Sequence, residues 1–591
     1  MKKNLKQLTF LALIAAAAAF SAAGCGSKSS NETTAAQTAA ESNAGREFTA
    51  PAQASSEAAG DTSKAAAADD SSAKAAEAGD ADAAADASAE AGSADAASSE
   101  EAGKPVKNIH AQIKKEFLMD YDTDPYRQYV SMDICSISLT DEDAAAYPEL
   151  AAALDKYSND IVESDKKAFE QYCTDAREQY AESGDTEGHY SDETNLDVVR
   201  ADSNVFSVRL GNYSYIGGAH GYYYNDGVTF DSRTGKKLGL TDIISDIDAL
   251  KSVLKEQLLA NYDPVMFFDL DGYFNDFNTE AACWSLNSTG IDFYFNPYEI
   301  APYASGQQMV TLTYAEHPEL FNEKYTETAD SFVIPFINGF TPVKYDVRGD
   351  GTLNAIRIEG KKPEQEDAYD YNGYTVYIDD RSFDLGYDDY FFEYTPYLLH
   401  TADGNDYIYI IFNSMDDYHY IDVIDITGGN AVVSGNDIGG SLCSTWTRNE
   451  ATGEEWTTVD CFTDPDSFRL CTYISVLSTY GTYKQYRVGA DGIPVSDDKY
   501  YTCIMKDFSI TLKKNFTAEE VDESGNTIGS VDLKEGDKIT FYRSDNRNFA
   551  DLLTSDGRIV RVTMDFGSDS WGRTMEGEDI YELFDGLMFA G

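Results

Sequence analysis

Apolar residues recur at helical spacing in two stretches of the chain. In residues 148–180, side chains such as Leu150 and Leu154 lie three or four positions apart, and Pro148 suits a first helical turn. The stretch "SDIDALKSVLKEQLLANY" repeats this spacing with leucine and valine. We therefore predict two amphipathic helices, each burying one face.

Elsewhere apolar and polar residues alternate, which is typical of half-buried strands. Phe206, Val208 and Leu210 alternate within "VFSVRLGNYSY", and "GIDFYF" and "MVTLTY" continue the pattern. After about residue 326 the chain consists of short alternating stretches rich in Tyr, Asp and Gly. The pattern therefore changes from mixed helix and strand to strand alone.

These patterns predict several domains, because 591 residues are too many for one core. Residues 105–325 are predicted to be an α+β domain with an antiparallel sheet. Residues 326–504 are predicted to be β-rich, with repeated propeller-like blades as one architecture. Residues 505–591 are similar to bacterial SH3-like modules and are predicted to close the chain as a small β-barrel.

The beginning of the chain is typical of a bacterial lipoprotein. Residues 1–24 contain a lysine-rich start, the apolar run "FLALIAAAAAF" and the small residues "AAG", directly before Cys25. The pattern predicts a signal peptide and lipid attachment at Cys25, which would place the protein on the outer side of the membrane. An ordinary secretory signal followed by a chance cysteine is the alternative. Residues 25–104 are rich in Ala, Ser, Asp and Glu and predict a disordered tether rather than an Ala-rich helix.

Charge narrows the choice of partner. The net charge is −58, and after residue 103 the chain has 38 Lys and Arg against 88 Asp and Glu. Such a surface repels nucleic acid and attracts cationic proteins or metal ions, although simple solubility also explains it. We expect no nucleic-acid partner.

Three motifs occur in order: "GGAHG" at 217–221, "FDSRTGKKLGLTDII" at 230–244 and "FYFNPYEIAPYASG" at 293–306. In this order they resemble the extracytoplasmic domain shared by PdaC-type peptidoglycan deacetylases and lysozyme-sensing anti-sigma factors. The resemblance implies recognition of a lysozyme or of peptidoglycan outside the cell. The deacetylase chemistry of that family needs an HxxxH metal motif, and no two of the six histidines here lie four apart.

The first and third motifs supply the candidate binding residues. Their glycines and prolines interrupt regular strands, and binding residues often lie in such loops. We predict Gly218, His220, Tyr298 and Tyr303 as ligand-binding residues, with the two tyrosines as anchors. His220 has three further interpretations: a packing role in a glycine-rich turn, which we favour, a metal ligand and a catalytic base. We predict no catalytic residue and no cofactor.

One Asp-rich loop is a candidate calcium site. "DVRGDGTLNAIRI" offers Asp346, Asp350 and Asn354 as oxygen ligands, but Arg348 stands where a further ligand belongs. A plain Asp-Gly turn is the alternative, and we favour it.

The cysteines do not form a recognisable framework. Seven remain after Cys25, and none forms a CxxC pair. A bridge between Cys461 and Cys471 across a hairpin is one possibility, and free buried thiols are another.

The sequence therefore predicts a non-catalytic surface lipoprotein that binds a cationic protein such as lysozyme, or peptidoglycan. The alternative is a glycan-processing enzyme whose site consists of Asp and Glu pairs. "DLDGYFNDFNTE" provides carboxylates beside aromatic rings, but acidic residues are abundant throughout the chain.

Overall fold

The structure is a computed structural model, and the residues it describes are 105–123, 126–184, 189–337, 341–363, 370–414, 419–449, 451–505, 508–566 and 572–589. The predicted signal peptide, Cys25 and the predicted tether lie outside these residues. In the described part of the chain, no helix is both long enough and apolar enough to cross a bilayer.

The first half contains most of the helices. Its elements are β1 (Ala111–Thr123), β2 (Tyr126–Leu139), α1 (Asp141–Ala146), α2 (Pro148–Ser183), β3 (Tyr190–Ala201), β4 (Val205–Tyr215), β5 (Tyr222–Asp231), α3 (Leu240–Ile243), α4 (Ile247–Asn261), α5 (Leu270–Asn275), β6 (Cys283–Leu286), β7 (Gly290–Phe295) and β8 (Gln308–Thr313).

The second half is mainly β. Its first elements are β9 (Phe332–Pro335), β10 (Val343–Tyr345), β11 (Asn354–Gly360), β12 (Tyr371–Ile378), β13 (Arg381–His400), β14 (Asp406–Ser414), β15 (His419–Asp425), β16 (Val432–Gly439), β17 (Ser441–Leu442), β18 (Ser444–Arg448), β19 (Glu455–Asp460), β20 (Phe468–Ser475), β21 (Thr479–Val488), β22 (Pro494–Val495) and β23 (Tyr501–Cys503). The last elements are β24 (Ser509–Leu512), β25 (Phe516–Val521), β26 (Thr527–Leu533), β27 (Lys538–Ser544), β28 (Phe549–Leu553), β29 (Ile559–Thr563), β30 (Asp565–Phe566), β31 (Arg573–Met575), β32 (Glu578–Asp579), α6 (Ile580–Leu583) and β33 (Phe584–Asp585).

Both predicted helices form. Helix α2 has Pro148 in its first turn and ends at Gly184, whose φ of 68° is the left-handed conformation that glycine adopts easily. Leu150 and Leu154 are fully buried. Helix α4 begins after Asp246, whose side chain accepts a hydrogen bond from the amide of Ala249, and it buries a face of leucines.

The first sheet has the order β18-β19-β1-β2-β3-β4-β5. Its pairs are antiparallel except β2 and β3, which are parallel. Thus the predicted antiparallel sheet is wrong at this one pair. The physical reason is that α1 and α2 connect β2 to β3 as a crossover, and a crossover returns the chain in its original direction.

The first part of strand β4, residues 205–208, is buried on both faces, whereas its alternation predicted one buried face. Phe206 and Val208 lie in the core, but Ser207 is also fully buried. The second face is covered by the small sheet β6-β7-β8, and the Ser207 hydroxyl accepts a hydrogen bond from the amide of Leu286 at 3.0 Å. Gly227 on β5 permits this approach, since a Cβ there would lie 2.1 Å from the carbonyl oxygen of Trp284.

The hairpin of β18 and β19 belongs to the first sheet although it lies far along the chain. Strand β19 pairs with β1 from Gln112 opposite Asp460 to Glu116 opposite Trp456. The first sheet therefore extends across the predicted boundary between residues 325 and 326, and the exact domain limits stay a prediction.

The second half is mostly β, as predicted. Strands β10 to β16 form one sheet in chain order, with β9 added beside β13. This is a continuous meander of the described strands, and it differs from the four-stranded blades of a propeller. A further sheet has the order β17-β20-β21-β23-β27-β28-β29-β25-β26, with β22, β24 and β33 paired at its side, and β30, β31 and β32 form a separate small sheet.

One disulfide is present in the described part of the chain, and it differs from the bridge considered above. Cys471 pairs with Cys443, while Cys461 is a free thiol. Cys461 instead lies beside β1, with its amide donating to the carbonyl of Ala111 at 2.9 Å. Cys461 is nearer to Cys471 in the sequence than Cys443 is, but this nearness did not identify the partner of Cys471.

Candidate functional site

The two irregular segments that the motifs singled out lie against each other. The loop 216–221 joins β4 to β5, and the loop 296–307 joins β7 to β8. The imidazole of His220 stacks on the ring of Tyr303, with centroids 4.1 Å apart and planes 19° apart. Tyr298 continues the stack, with its centroid 6.3 Å from that of Tyr303. Three of the four predicted ligand-binding residues are thus in one row of rings.

This row is partly exposed. Tyr298 is 55% exposed and His220 also lies at the surface, whereas Tyr303 is half-buried. Tyr223 packs against Tyr303, with ring centroids 5.3 Å apart. We call His220, Tyr223, Tyr298 and Tyr303 the aromatic surface. Aromatic side chains at a surface offer apolar area together with a polar edge, which suits contact with a protein or a sugar ring.

Burial changes the chemistry of Tyr223 and Tyr303. Loss of solvent raises the pKa of the Tyr223 phenol to about 12, and the neighbouring phenol of Tyr303 adds to this. Loss of solvent also raises the pKa of Tyr303. The Tyr223 hydroxyl is buried without a hydrogen-bond partner among the described residues. Both phenols therefore stay neutral at physiological pH.

Two buried asparagines hold the loops together. Asn296 accepts a hydrogen bond from the backbone amide of Asn225 at 2.8 Å and donates to its carbonyl at 3.0 Å. The side chain of Asn225 in turn donates to Gln307 at 2.6 Å. Asn225 and Asn296 are each 5% exposed. Because these bonds replace solvent in a buried place, they fix the distance between the loops.

Tyr298 has a strained backbone. Its φ is 68°, in the left-handed region that residues with a Cβ rarely adopt. The turn is held by hydrogen bonds from the amide of Tyr298 to the carbonyl of Ala301 and from the amide of Glu299 to the carbonyl of Asn296. The strain costs about 1 kcal/mol and places an exposed aromatic ring on the stack, which suggests a functional role for that ring.

Gly218 is the fourth predicted residue, and its contribution is to the shape of the loop. Its φ is 102°, and its carbonyl accepts a hydrogen bond from the Tyr215 hydroxyl at 3.0 Å. A Cβ at Gly218 would meet no other atom within 4 Å. The glycine is therefore required by backbone conformation rather than by packing.

The surroundings of His220 do not favour catalysis. Its Nδ1 lies 2.8 Å from the carbonyl oxygen of Gly221, so the backbone orients the ring. Asp226 was the nearest carboxylate in the sequence, but it accepts hydrogen bonds from the Gly227 amide and the Tyr224 hydroxyl. The geometry fits a stacking role for His220.

A cavity of about 390 Å³ is lined by residues of the 268–282 segment and by one residue of the 296–307 loop, Glu299. Its walls include the rings of Phe268, Tyr273 and Phe277, and its carboxylates are Asp269, Asp276 and Glu299. Glu299 connects the cavity to the 296–307 loop, because it follows Tyr298 directly. This cavity is the part of the site that the ligand-binding prediction missed, although its residues belong to the stretch noted for carboxylates beside rings.

The charge around the site is negative. From residue 256 to residue 323 the sequence contains eleven Asp and Glu but no Lys or Arg. Residues 210–232, which include the other loop, contain no Lys or Arg either. This gap in basic residues was readable in the sequence and would have marked the same surface. A positively charged partner would therefore meet no fixed repulsion from these two segments.

The predicted calcium loop has the geometry of a turn. The carboxylate of Asp346 accepts hydrogen bonds from the amides of Arg348, Asp350 and Gly351. Asp350 accepts from the amide of Thr352. The side-chain amide of Asn354 donates to the carboxylate of Asp379. The side-chain oxygen Oδ1 of Asn354 is buried without a hydrogen-bond partner in the described residues.

The three candidate ligands thus serve the backbone and a neighbouring side chain. Across the described residues, no group of three or more His, Cys, Asp or Glu side chains is arranged to hold a metal ion.

Comparison with known families agrees with the motifs. Residues 141–223 match the family model described as deacetylase PdaC, and residues 241–315 match that of a protein family of unknown function, DUF3298. The predicted resemblance to PdaC-type proteins is confirmed over these residues. The site lies where the two matches meet, since His220 belongs to the first and Tyr298 and Tyr303 to the second.

Solved structures of the DUF3298 family are also similar. A protein from Bacteroides fragilis is 21% identical, with 37% of this chain and 96% of that chain covered and a TM-score of 0.29. A protein from Pseudomonas aeruginosa is 18% identical, with 38% and 96% covered and a TM-score of 0.25. No curated protein matches the chain.

Proposed function

We propose that this protein is a non-catalytic binding protein of the cell surface and that its partner is a cationic protein such as a lysozyme. The observation that carries the proposal is the stack of His220, Tyr303 and Tyr298, because it joins two distant loops into one partly exposed aromatic surface. Tyrosine rings provide contact area with few rotatable bonds, so binding orders little. The strongly acidic surroundings favour a basic partner.

Calorimetric titration of the purified full chain with lysozyme tests this proposal. We expect measurable binding at low salt and slower association as salt rises, because screening acts within about 8–10 Å at physiological ionic strength. Lysozyme with acetylated lysines is the matched control, since it keeps the fold but loses much of its charge. Absence of heat with unmodified lysozyme at low salt and micromolar protein contradicts the proposal.

Anchoring at Cys25 belongs to the same proposal. A lipid at Cys25 would hold the aromatic surface outside the membrane. A Cys25→Ala variant should be shed or stay unprocessed, as measured by cell fractionation. Normal membrane retention of that variant contradicts the lipid anchor.

We also propose that residues 505–591 form an SH3-like barrel that contacts peptidoglycan. Its support is the strand pairing: β27, β28 and β29 form a meander, and β24 pairs with both β27 and β33. The first and last strands of this region are thus neighbours, as closure requires. Sedimentation of the full chain with purified peptidoglycan tests it, and a chain that stays in the supernatant contradicts it.

An enzyme that processes wall glycans is the second candidate. The observation in its favour is the cavity, where Asp269, Asp276 and Glu299 lie beside aromatic rings. Two carboxylates flanking a sugar are the usual requirement for glycoside hydrolysis. Release of soluble fragments from purified peptidoglycan, lost in a Glu299→Gln variant, would replace the binding proposal with this one.

A further inference from the structure

The cavity that includes Glu299 has a wall of rings and a rim of carboxylates. Phe268 is 57% exposed, and Tyr273 and Phe277 are partly buried behind it. Asp269, Asp276 and Glu299 complete the lining. An apolar wall beneath negative charge suits a long side chain with an alkyl stem and a cationic end.

The cavity is held in shape by hydrogen bonds between its walls. The Tyr273 hydroxyl donates to Glu299 Oε1 at 2.5 Å, and the Asn296 amide donates to Glu299 Oε2 at 2.9 Å. The amide of Phe268 donates to the carbonyl of Ile300 at 2.9 Å. Two donors hold the carboxylate of Glu299 in one orientation at the edge of the cavity.

The other two carboxylates, Asp269 and Asp276, differ in their hydrogen bonding and exposure. Asp269 accepts a hydrogen bond from the amide of Gly272 and begins helix α5. Asp276 is exposed at the end of the same helix. No lysine or arginine lies between Lys255 and Lys324 in the sequence. Lys255 reaches helix α5 but pairs with Asp271, which is not part of the lining.

We propose that this cavity takes an arginine side chain of the basic partner. The guanidinium would meet Asp276 and Glu299, and its alkyl stem would lie against Phe268 and Phe277. Arginine fits better than lysine because its planar group both stacks on rings and donates to two carboxylates at once. This inference rests on the proposed function, and it adds to that function the side chain that the partner inserts into this cavity.

A pair of small probes tests the cavity without any partner protein. The probes are N-acetyl-arginine methylamide and the citrulline analogue, which has nearly the same shape but no charge. Saturation-transfer NMR with the full chain should show arginine methylene protons in contact with the protein. We expect citrulline to bind at least about tenfold more weakly, since it loses the charge-assisted bonds. Equal binding of both probes, or no binding of arginine at millimolar concentration, overturns the proposal.

Matched variants locate the binding. Asp276→Asn keeps size and removes one charge from the cavity, and Phe268→Ser removes part of the wall at an exposed position. Glu280→Gln removes an equal charge from the same segment but outside the lining. We expect the first two to weaken arginine binding about tenfold and Glu280→Gln to change it less than about twofold. Equal effects of Asp276→Asn and Glu280→Gln would mean a general acidic field, and they overturn the cavity as a specific site.

The same variants separate this proposal from the proposed function. Lysozyme binding that is unaffected by Asp276→Asn and Phe268→Ser leaves the aromatic surface as the binding site and overturns the arginine cavity. Arginine binding that follows the expected pattern, with no lysozyme binding at all, supports the cavity and contradicts lysozyme as the partner.

Discussion

The loop at 296–307 and the loop at 346–354 are both irregular, yet they use their polar groups in opposite ways. Asn296 bonds to Asn225, far away in the chain, and the rings of its loop remain partly exposed. Asp346 bonds to three amides of its own loop. In the first loop, a bond to a distant segment fixes the loop and leaves other side chains available for a ligand. In the second loop, the polar side chain bonds to the loop's own backbone, as in an ordinary turn.

Of the substitutions considered, replacement of Asn296 should have the largest effect on stability. Asn296→Ala leaves the buried amide and carbonyl of Asn225 without partners, which costs about 2–4 kcal/mol of unfolding free energy. Because the two loops would then separate, partner binding should fall as well. Thermal and denaturant unfolding of the full chain measure the first effect. A variant as stable as the natural chain would show that the two asparagines do not hold the loops.

The rings of the aromatic surface should affect binding but not stability. Tyr303→Ala should weaken lysozyme binding by about 2 kcal/mol, because central tyrosines dominate many interfaces. Its melting temperature should change little, since Tyr303 is not a member of the buried core. Calorimetry and melting curves on the same samples measure both.

Tyr581→Ala is the control for that variant, since it removes a surface tyrosine, 52% exposed, that lies on α6 far along the chain from the two loops. A large fall in melting temperature for Tyr303→Ala would instead make the ring a structural residue.

Substitution in the loop at 346–354 should change stability only weakly. Asp346→Ala removes bonds to three amides that are close to solvent, so we expect a loss of about 1 kcal/mol or less. Calcium at millimolar concentration should not raise the melting temperature of the natural chain, because the carboxylate already serves the backbone. A calcium-dependent rise that Asp346→Ala abolishes would restore the metal-site interpretation.

The smallest effect should come from a polar contact that titrates. His110 Nδ1 lies 2.9 Å from Asp143, and Nε2 lies 3.0 Å from the carbonyl of Ser467 and 3.6 Å from Asp464. The hydrogen bond to Asp143 raises the pKa of His110 above its ordinary value of 6.5. Only the protonated ring donates to both sides. Its stabilisation is therefore complete below pH of about 6.5 and is lost as pH rises through the raised pKa.

A His110→Gln variant checks this sign. The difference in melting temperature between it and the natural chain should be largest near pH 5.5 and should shrink toward pH 8. The Asn296→Ala difference should stay nearly constant over the same range, because an amide does not titrate. A His110→Gln difference that grows with pH would contradict the assignment.

Local patterns predicted the local features of this fold. Leucine spacing identified α2 and α4, and alternation identified β4, β7 and β8. The motifs also placed His220, Tyr298 and Tyr303 outside regular strands, since glycine and proline mark where strands stop. Long-range features were not predicted in the same way. Ser207 looked like a solvent-facing residue, because nothing near it in the sequence shows that β6 covers it.

The partners of polar residues were the hardest to predict. Asn225 and Asn296 lie 71 positions apart, and either asparagine alone reads as an ordinary turn or strand residue. Cys443 was not chosen as the partner of Cys471 for the same reason. The gap in basic residues around Tyr298 was the one long-range signal present in the composition, because charge acts without requiring a particular register.

Strand β1 is the first described strand of the chain, and it has a neighbour on each side, β2 and β19. A force applied to the chain from its N-terminal side would therefore act along β1 and would have to shear two ladders together instead of opening one bond at a time. If the chain is tethered at Cys25, as its first residues predict, a partner pulled by flow or by wall growth would load this strand first. Mechanical resistance would then depend on the hairpin at 444–460, which lies more than 300 residues further along the chain.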